Sequence, residues 1–221
     1  MTAGRVVVLR HGRTRHNLRH VWQGQLDVPL DEVGVRQSQL AARVVAALDP
    51  VAVVTSDLVR ASATAQAVAD VHGLPVKVDE RLREVDAGRW EGLTRDEIIA
   101  AGDGDLLAAW RRGEDVALGG AERPSALGRR GAAALLDHAV AVDGGTIVVV
   151  AHGAVLRAAV LTLLGLEQSR WRLLAGLPNC GWGLIQPAEP TWRLLAWGLT
   201  APAPADDQGI PGDQGSSGDH A

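Results

Sequence analysis

Arg10-His11-Gly12, Arg60 and His152-Gly153 are the residues of this 221-residue chain whose types and surroundings point most directly to chemistry. Each group follows a short apolar run: Arg5–Leu9 ahead of the first, Ala52–Thr55 ahead of the segment from Ser56 to Arg60, and Thr146–Ala151 ahead of the last. Two guanidinium groups beside two imidazoles make a poor metal site, because arginine repels cations and does not ligate them. They suit an anion. A phosphate dianion presents pairs of oxygens that match the guanidinium fork, so Arg10 and Arg60 could each grip it at two points. An imidazole has two roles open to it. One ring nitrogen can attack phosphorus when the other is hydrogen-bonded to a backbone carbonyl, or a ring can donate to the phosphoryl oxygens. The glycine after each histidine lets the chain turn sharply and approach a ligand closely.

The elements that would carry these residues follow from hydrophobic period. The three apolar runs are rich in β-branched residues and end in polar turns, the pattern of buried strands. Between and after them, Gly34–Ala47, Leu58–His72, Pro124–Val142 and Ala154–Leu164 repeat apolar residues at three- and four-residue spacing, as helices do. Strands alternating with helices predict an α/β fold: a three-layer α/β/α sandwich with a mainly parallel central sheet and helices on both faces. In such a sheet ligands bind outside the carboxyl ends of the strands, which is where the arginines and histidines fall. Residues 79–122, broken by seven glycines, read as an insertion or lid around Trp90 and Trp110. Two Trp-bearing apolar segments in 180–198 read as strands that close the sheet. The expectation is one domain over 1–200, followed by a disordered acidic tail, 201–221, rich in Pro and Gly and without the apolar content to dock.

Composition limits the partners. The tail holds four acids and no Lys or Arg, so the other 200 residues carry 22 acids and 22 bases and are neutral overall. That argues against a nucleic-acid binder, which would show a net basic face. No run approaches the 18 or more apolar residues of a membrane span, the lone Cys180 has no internal disulfide partner, and the first residues lack a signal segment. The expected location is the cytoplasm. The Trp-rich 171–197 segment could support a homodimer.

Four motifs carry a resemblance. Leu9-Arg10-His11-Gly12-Arg13-Thr14-Arg15-His16-Asn17 resembles the LRHGxTxxN signature of the histidine phosphatase (phosphoglycerate mutase-like) superfamily. Ser56-Asp57-Leu58-Val59-Arg60-Ala61 with Thr64-Ala65 is similar to that family's SxLxRAxxTA segment, and Leu82-Arg83-Glu84 with Gly88-Arg89-Trp90-Glu91-Gly92 to its LREx3GxWEG segment. Val149-Val150-Ala151-His152-Gly153 is similar to its second-histidine motif. The four occur in the family's order.

The resemblance implies a metal-independent phosphatase without a cofactor, acting on monoesters of small metabolites such as sugar or glycerate phosphates. His11 would be the nucleophile that forms a phosphohistidine, and Arg10, Arg60 and His152 the phosphate pocket, with Asn17 a further donor. Glu84 would protonate the leaving alcohol and then activate water. Thr14, Gln23 and Gly24 match positions that line the pocket. Glu122 resembles part of a GGES segment of the phosphatase branch, although Ala121 intervenes and Arg123 replaces the serine. Two alternatives stand beside this reading: phosphoglycerate-mutase-type transfer and a non-catalytic phosphate-binding module. Val85-Asp86-Ala87 after Glu84 lacks the cations that a mutase uses to hold a substrate carboxylate, which favours hydrolysis.

Overall fold

The computed structural model describes residues 3–189 and 191–202. Six strands form one sheet in the order β3-β2-β4-β1-β5-β6: β1 Arg5–Arg10, β2 Pro50–Thr55, β3 Val76–Val78, β4 Thr146–Ala151, β5 Trp182–Ala188 and β6 Thr191–Leu199. The first four named along the sheet run parallel, and the Trp-bearing β5 and β6 add antiparallel strands beside β1. The sheet is therefore mainly parallel.

Side chains of a strand alternate between faces, and here each face meets its own core. Val6, Val8, Ile147 and Val149 join one cluster, with Leu127 and Leu135 of α6 (Pro124–Val140) and Leu156 and Leu161 of α7 (Gly153–Leu163). Val7, Leu9, Val148 and Val150 join the other, with Ala41, Ala42 and Val45 of α2 (Glu32–Ala46) and Ala65, Val68 and Ala69 of α3 (Val59–His72). Burial on both faces is why β1 and β4 read as unbroken apolar runs. Small residues on α2 and α3 bring those helices close to the sheet. On the opposite side Gly131 does the same for α6: a Cβ there would lie 2.9 Å from Val155 Cγ2 and 3.0 Å from Ala159 Cβ.

Helix limits differ from the periodic reading by one or two residues, and caps explain the differences. The α2 helix starts at Glu32 rather than Gly34, because the Asp31 side chain accepts a hydrogen bond from Gly34 N at 2.8 Å. The α3 helix ends at His72 because Gly73 takes the left-handed conformation at φ 63°. The edge strand β3 was not legible: it is three residues long, half exposed and exposed, and carries the only lysine.

Residues 79–122 contain short helical pieces, α4 (Arg95–Ile98) and α5 (Gly104–Arg111) among them, joined by glycine turns. Another short helix, α1 (Arg15–Leu18), follows β1. Trp22 anchors this side of the molecule, its ring edge-on to Trp90 at 5.3 Å and to Trp110 at 5.0 Å. The Trp90 indole N–H donates to Asp103 at 2.6 Å. Among the described residues no helix is long and apolar enough to cross a membrane.

Candidate active site

The register of the two central strands sets the site. Arg10 pairs with Ala151, so the next residues, His11 and His152, leave the sheet side by side with ring centroids 5.1 Å apart. Thr55 pairs with Val150 on the other side of β4, and the chain then turns through Ser56 into α3, whose first turn carries Arg60. Three carboxyl ends thus converge, and His11, Arg60 and His152 are all buried.

Hydrogen bonding assigns the two imidazoles opposite protonation patterns. His11 Nδ1 lies 2.7 Å from the Gly12 carbonyl oxygen. A carbonyl only accepts, so Nδ1 carries the hydrogen and Nε2 is left with its lone pair. His152 is the reverse. Its Nδ1 accepts from Arg60 Nε at 3.2 Å, and arginine only donates, so the hydrogen sits on Nε2. That Nε2 is buried without a hydrogen-bond partner among the described residues, as is Arg10 Nε. Burying such donors unpaired costs about 1–3 kcal/mol each, which an anion's oxygens would recover.

Both imidazoles are held neutral. Burial pushes His11 well below the usual histidine range, and the charges of Arg60 and Arg10 act in the same direction. His152 is lowered by burial first and then by Arg60, His11, Arg10 and Arg130. Burial also lowers Arg60 to about 10, still a cation near neutrality.

The arginines are less free than two open forks. Arg60 donates from Nη1 to Leu26 O at 2.6 Å and from Nη2 to Gly24 O at 2.8 Å, besides holding His152. One N–H on each Nη is left for an anion. Arg10 donates from Nη1 to Leu177 O at 2.6 Å. Gly24 is an anchor here: at φ 49° it favours glycine, and a Cβ would meet Glu91 Oε1 at 2.1 Å.

Thr14, Asn17 and Gln23 form a bonded group beside the histidines. Thr14 and Asn17 make a capping box on α1, and Thr14 Oγ1 lies 2.9 Å from Gln23 Oε1. Asn17 Oδ1 also accepts from Asn179 Nδ2 at 3.2 Å. With their oxygens engaged, Asn17 and Gln23 have amide NH2 groups to offer a ligand.

Glu84 arrives from the 79–122 segment. Its Oε2 accepts from Ala154 N at 3.1 Å and its Oε1 from Val155 N at 3.0 Å, the first turn of α7. His152, at the N-cap, makes no side-chain cap, so a carboxylate 70 residues earlier in the chain does that work. A cap of this kind contributes about 1 kcal/mol. Arg10, His11, Arg60, Glu84 and His152 therefore meet at one place.

Several contacts were not visible in the sequence, even where the residue itself fell in a motif. Thr64 Oγ1 accepts from Gly12 N at 3.1 Å, and a Cβ on Gly12 would lie 2.4 Å from Gly34 O, so the turn after His11 is packed directly against α2. Asn179 Nδ2 donates to His11 O at 3.2 Å. Glu122 pairs with Arg130 of α6, Nε to Oε1 at 2.7 Å and Nη2 to Oε2 at 2.9 Å. Nothing in the Arg129-Arg130 dipeptide of α6 marked the second arginine as special.

Comparison with known proteins defines the class. A family model described as histidine phosphatase superfamily (branch 1) matches residues 6–200, and the chain belongs to that family. Relatives are named as phosphatases, and phosphoric monoester hydrolysis is the activity class of this chain. More particularly, it is 36% identical to the glucosyl-3-phosphoglycerate phosphatase of Mycolicibacterium vanbaalenii, over 91% of this chain and 97% of that one. It is 34% identical to a probable phosphoglycerate mutase of Yersinia pestis, over 87% and 89% of the two chains. A mycobacterial glucosyl-3-phosphoglycerate phosphatase solved as a complex with VO3 superposes with a TM-score of 0.83 at 37% identity, covering 90% of this chain and 100% of the other.

Proposed function

We propose that the chain hydrolyses phosphate monoesters of sugar or glycerate phosphates through a phosphohistidine on His11, with a sugar-bearing phosphoglycerate as the natural substrate class. The observation that carries this reading is the complementary pair of tautomers, a lone pair on His11 Nε2 beside an unpaired N–H on His152 Nε2. His11 Nε2 attacks phosphorus in line with the ester oxygen; the N–P bond forms as the P–O bond breaks, and Glu84 gives its proton to the departing alkoxide. Water then attacks the phosphohistidine and passes a proton to the Glu84 carboxylate, releasing inorganic phosphate and restoring His11. Arg10, the remaining N–H groups of Arg60 and His152 Nε2–H face the phosphoryl oxygens, with the amides of Asn17 and Gln23 alongside. Thr14 and Gly24 act by holding Gln23 and Arg60 in place. These donors are fixed before the reaction, so developing charge is stabilised without reorganisation.

Similarity to the named phosphatases supports the substrate class, and Val85-Asp86-Ala87, which lacks the cations a mutase uses to hold a substrate carboxylate, favours water over the hydroxyl of a glycerate as the final acceptor. The proposal includes a cytoplasmic location and a homodimer across the outer strand β6, where Leu195 and Leu199 are exposed. Sedimentation of the purified chain tests the dimer. The chemistry is tested by rapid quenching into alkaline denaturant during turnover of 32P-labelled substrate, followed by separate acid and base treatment of the protein. Base-stable, acid-labile phosphate is expected on the wild type and absent from His11→Ala. Near-normal turnover by His11→Ala, or abolition by chelators, would overturn it.

A further inference from the structure

We propose that Arg130, with Glu122, is the positioning device for Glu84, and that leaving-group protonation depends on it. The inference rests on the hydrolytic role given to Glu84 above and extends it to two residues outside the arginine and histidine cluster.

Arg130 spends three of its five guanidinium hydrogens on the backbone of one loop and the other two on Glu122. Nη1 donates to the carbonyls of Arg81 at 2.8 Å and Arg83 at 2.6 Å. Nη2 donates to the Glu84 carbonyl at 2.8 Å and to Glu122 Oε2 at 2.9 Å, and Nε to Glu122 Oε1 at 2.7 Å. Glu122 in turn accepts from Asp86 N at 3.1 Å and donates its own N–H to Asp86 O at 3.1 Å. The Glu84 carbonyl takes a second bond from Gln25 Nε2 at 3.2 Å, and Val85 N donates to Glu84 Oε1 at 3.0 Å. The backbone on both sides of Glu84 is thus pinned to α6, while its carboxylate rests on α7. Among the described residues no other side chain joins α6 to this loop through so many bonds.

The clamp compensates for a loop that cannot hold itself. Residues 80–90 contain only two three-residue helical turns and no strand, so no ladder sets the Glu84 carbonyl. A displacement of about 1 Å at a catalytic group costs on the order of 10²-fold in rate, and general-acid catalysis is worth about 10²–10⁴-fold. Lysine at 130 would keep a cation but supply three donors from a point charge, too few for five acceptors spread over four residues.

The test compares an alkyl monoester, 3-phosphoglycerate, whose leaving alkoxide needs a proton, with p-nitrophenyl phosphate, whose phenolate does not. Arg130→Lys is expected to lower kcat/KM for the alkyl ester by about 10²-fold and for the aryl ester by less than about 3-fold. Glu122→Gln, a milder change that leaves Arg130 in place, is expected to move the same ratio in the same direction by about 10-fold and covers the case in which Arg130→Lys does not fold. In a Glu84→Gln background neither substitution should change the ratio further, because the group they position is gone. Equal losses on both esters, or full additivity with Glu84→Gln, would overturn the proposal while leaving phosphohistidine chemistry intact. A Glu84→Gln variant with an unchanged ratio would instead remove the acid role itself, and the clamp with it.

Discussion

The histidines and the glutamate of this site are held by opposite means. His11 and His152 each sit one residue past a buried parallel strand, and the ladder between β1 and β4 fixes their separation with backbone hydrogen bonds alone. Glu84 sits on a loop of short turns, and its place depends on side chains reaching from α6 and on the free N–H groups of α7. A ladder is buried and cooperative, so the strand ends are rigid whatever side chains they carry. A clamp of charged side chains is only as good as its last bond. On the proposed roles, phosphoryl binding is thereby built into the fold, whereas proton delivery could be lost without unfolding the protein.

The two regions differ most at the strand ends. His11→Ala should reduce kcat by more than about 10⁴-fold for alkyl and aryl esters alike, because under the proposed mechanism it removes the group that carries the covalent step rather than one that adjusts it. Steady-state kinetics on both substrates check this, and a selective loss would blur the distinction between the two regions. Arg60→Ala should cost about 10²–10³-fold, again on both esters, since it removes the proposed phosphate contacts and frees the His152 ring. Arg60→Lys should also be impaired, for it cannot bond Gly24 O, Leu26 O and His152 Nδ1 together.

Stability against pH sharpens the comparison further. His11 and His152 stay neutral in the fold while unfolded histidine takes up a proton below about pH 6.5. The unfolded chain then binds more protons, so stability is full above that pH and falls as the pH drops below it, by about 1.4 kcal/mol per pH unit for each histidine. The less buried His16 shifts in the same direction. Carboxylates join only at lower pH: burial pushes Asp79 up, but the hydrogen bonds from Arg81 and His138 together outweigh it and hold Asp79 down to about 2, so its contribution is lost as the pH falls from roughly 4 towards 2. Urea melts between pH 7.5 and 5 should show a steep slope that His152→Asn reduces. The smallest effect belongs to the carboxyl-terminal segment. Residues 203–221 lie outside the described residues and offer no candidate catalytic group except His220, so truncation after Pro202 should leave turnover of both esters unchanged.

Legibility followed the same division. Arg5–Arg10 and Thr146–Ala151 could be read as buried strands because each face of them meets a core, and that leaves an unbroken run of β-branched residues. The arginines and histidines could be placed at one sheet edge by the rule for parallel sheets. The half-engaged fork of Arg60 could not be foreseen, since the carbonyls it bonds belong to a loop 34 and 36 residues away. Glu122 looked like an imperfect motif match, and its pairing with Arg130 shows what the carboxylate does in this chain.

What the sequence determined by itself was the set of elements and the residues at their ends, because hydrophobic period, caps and turn residues act within a few positions. Tertiary structure alone decided which imidazole carries its hydrogen on which nitrogen, since that depends on Gly12 O for His11 and on Arg60 for His152. It also decided that an arginine of α6 would reach a carbonyl 46 residues earlier. Beside it, α6 lies close against α7, a contact that Gly131 permits by having no side chain and that no local pattern records.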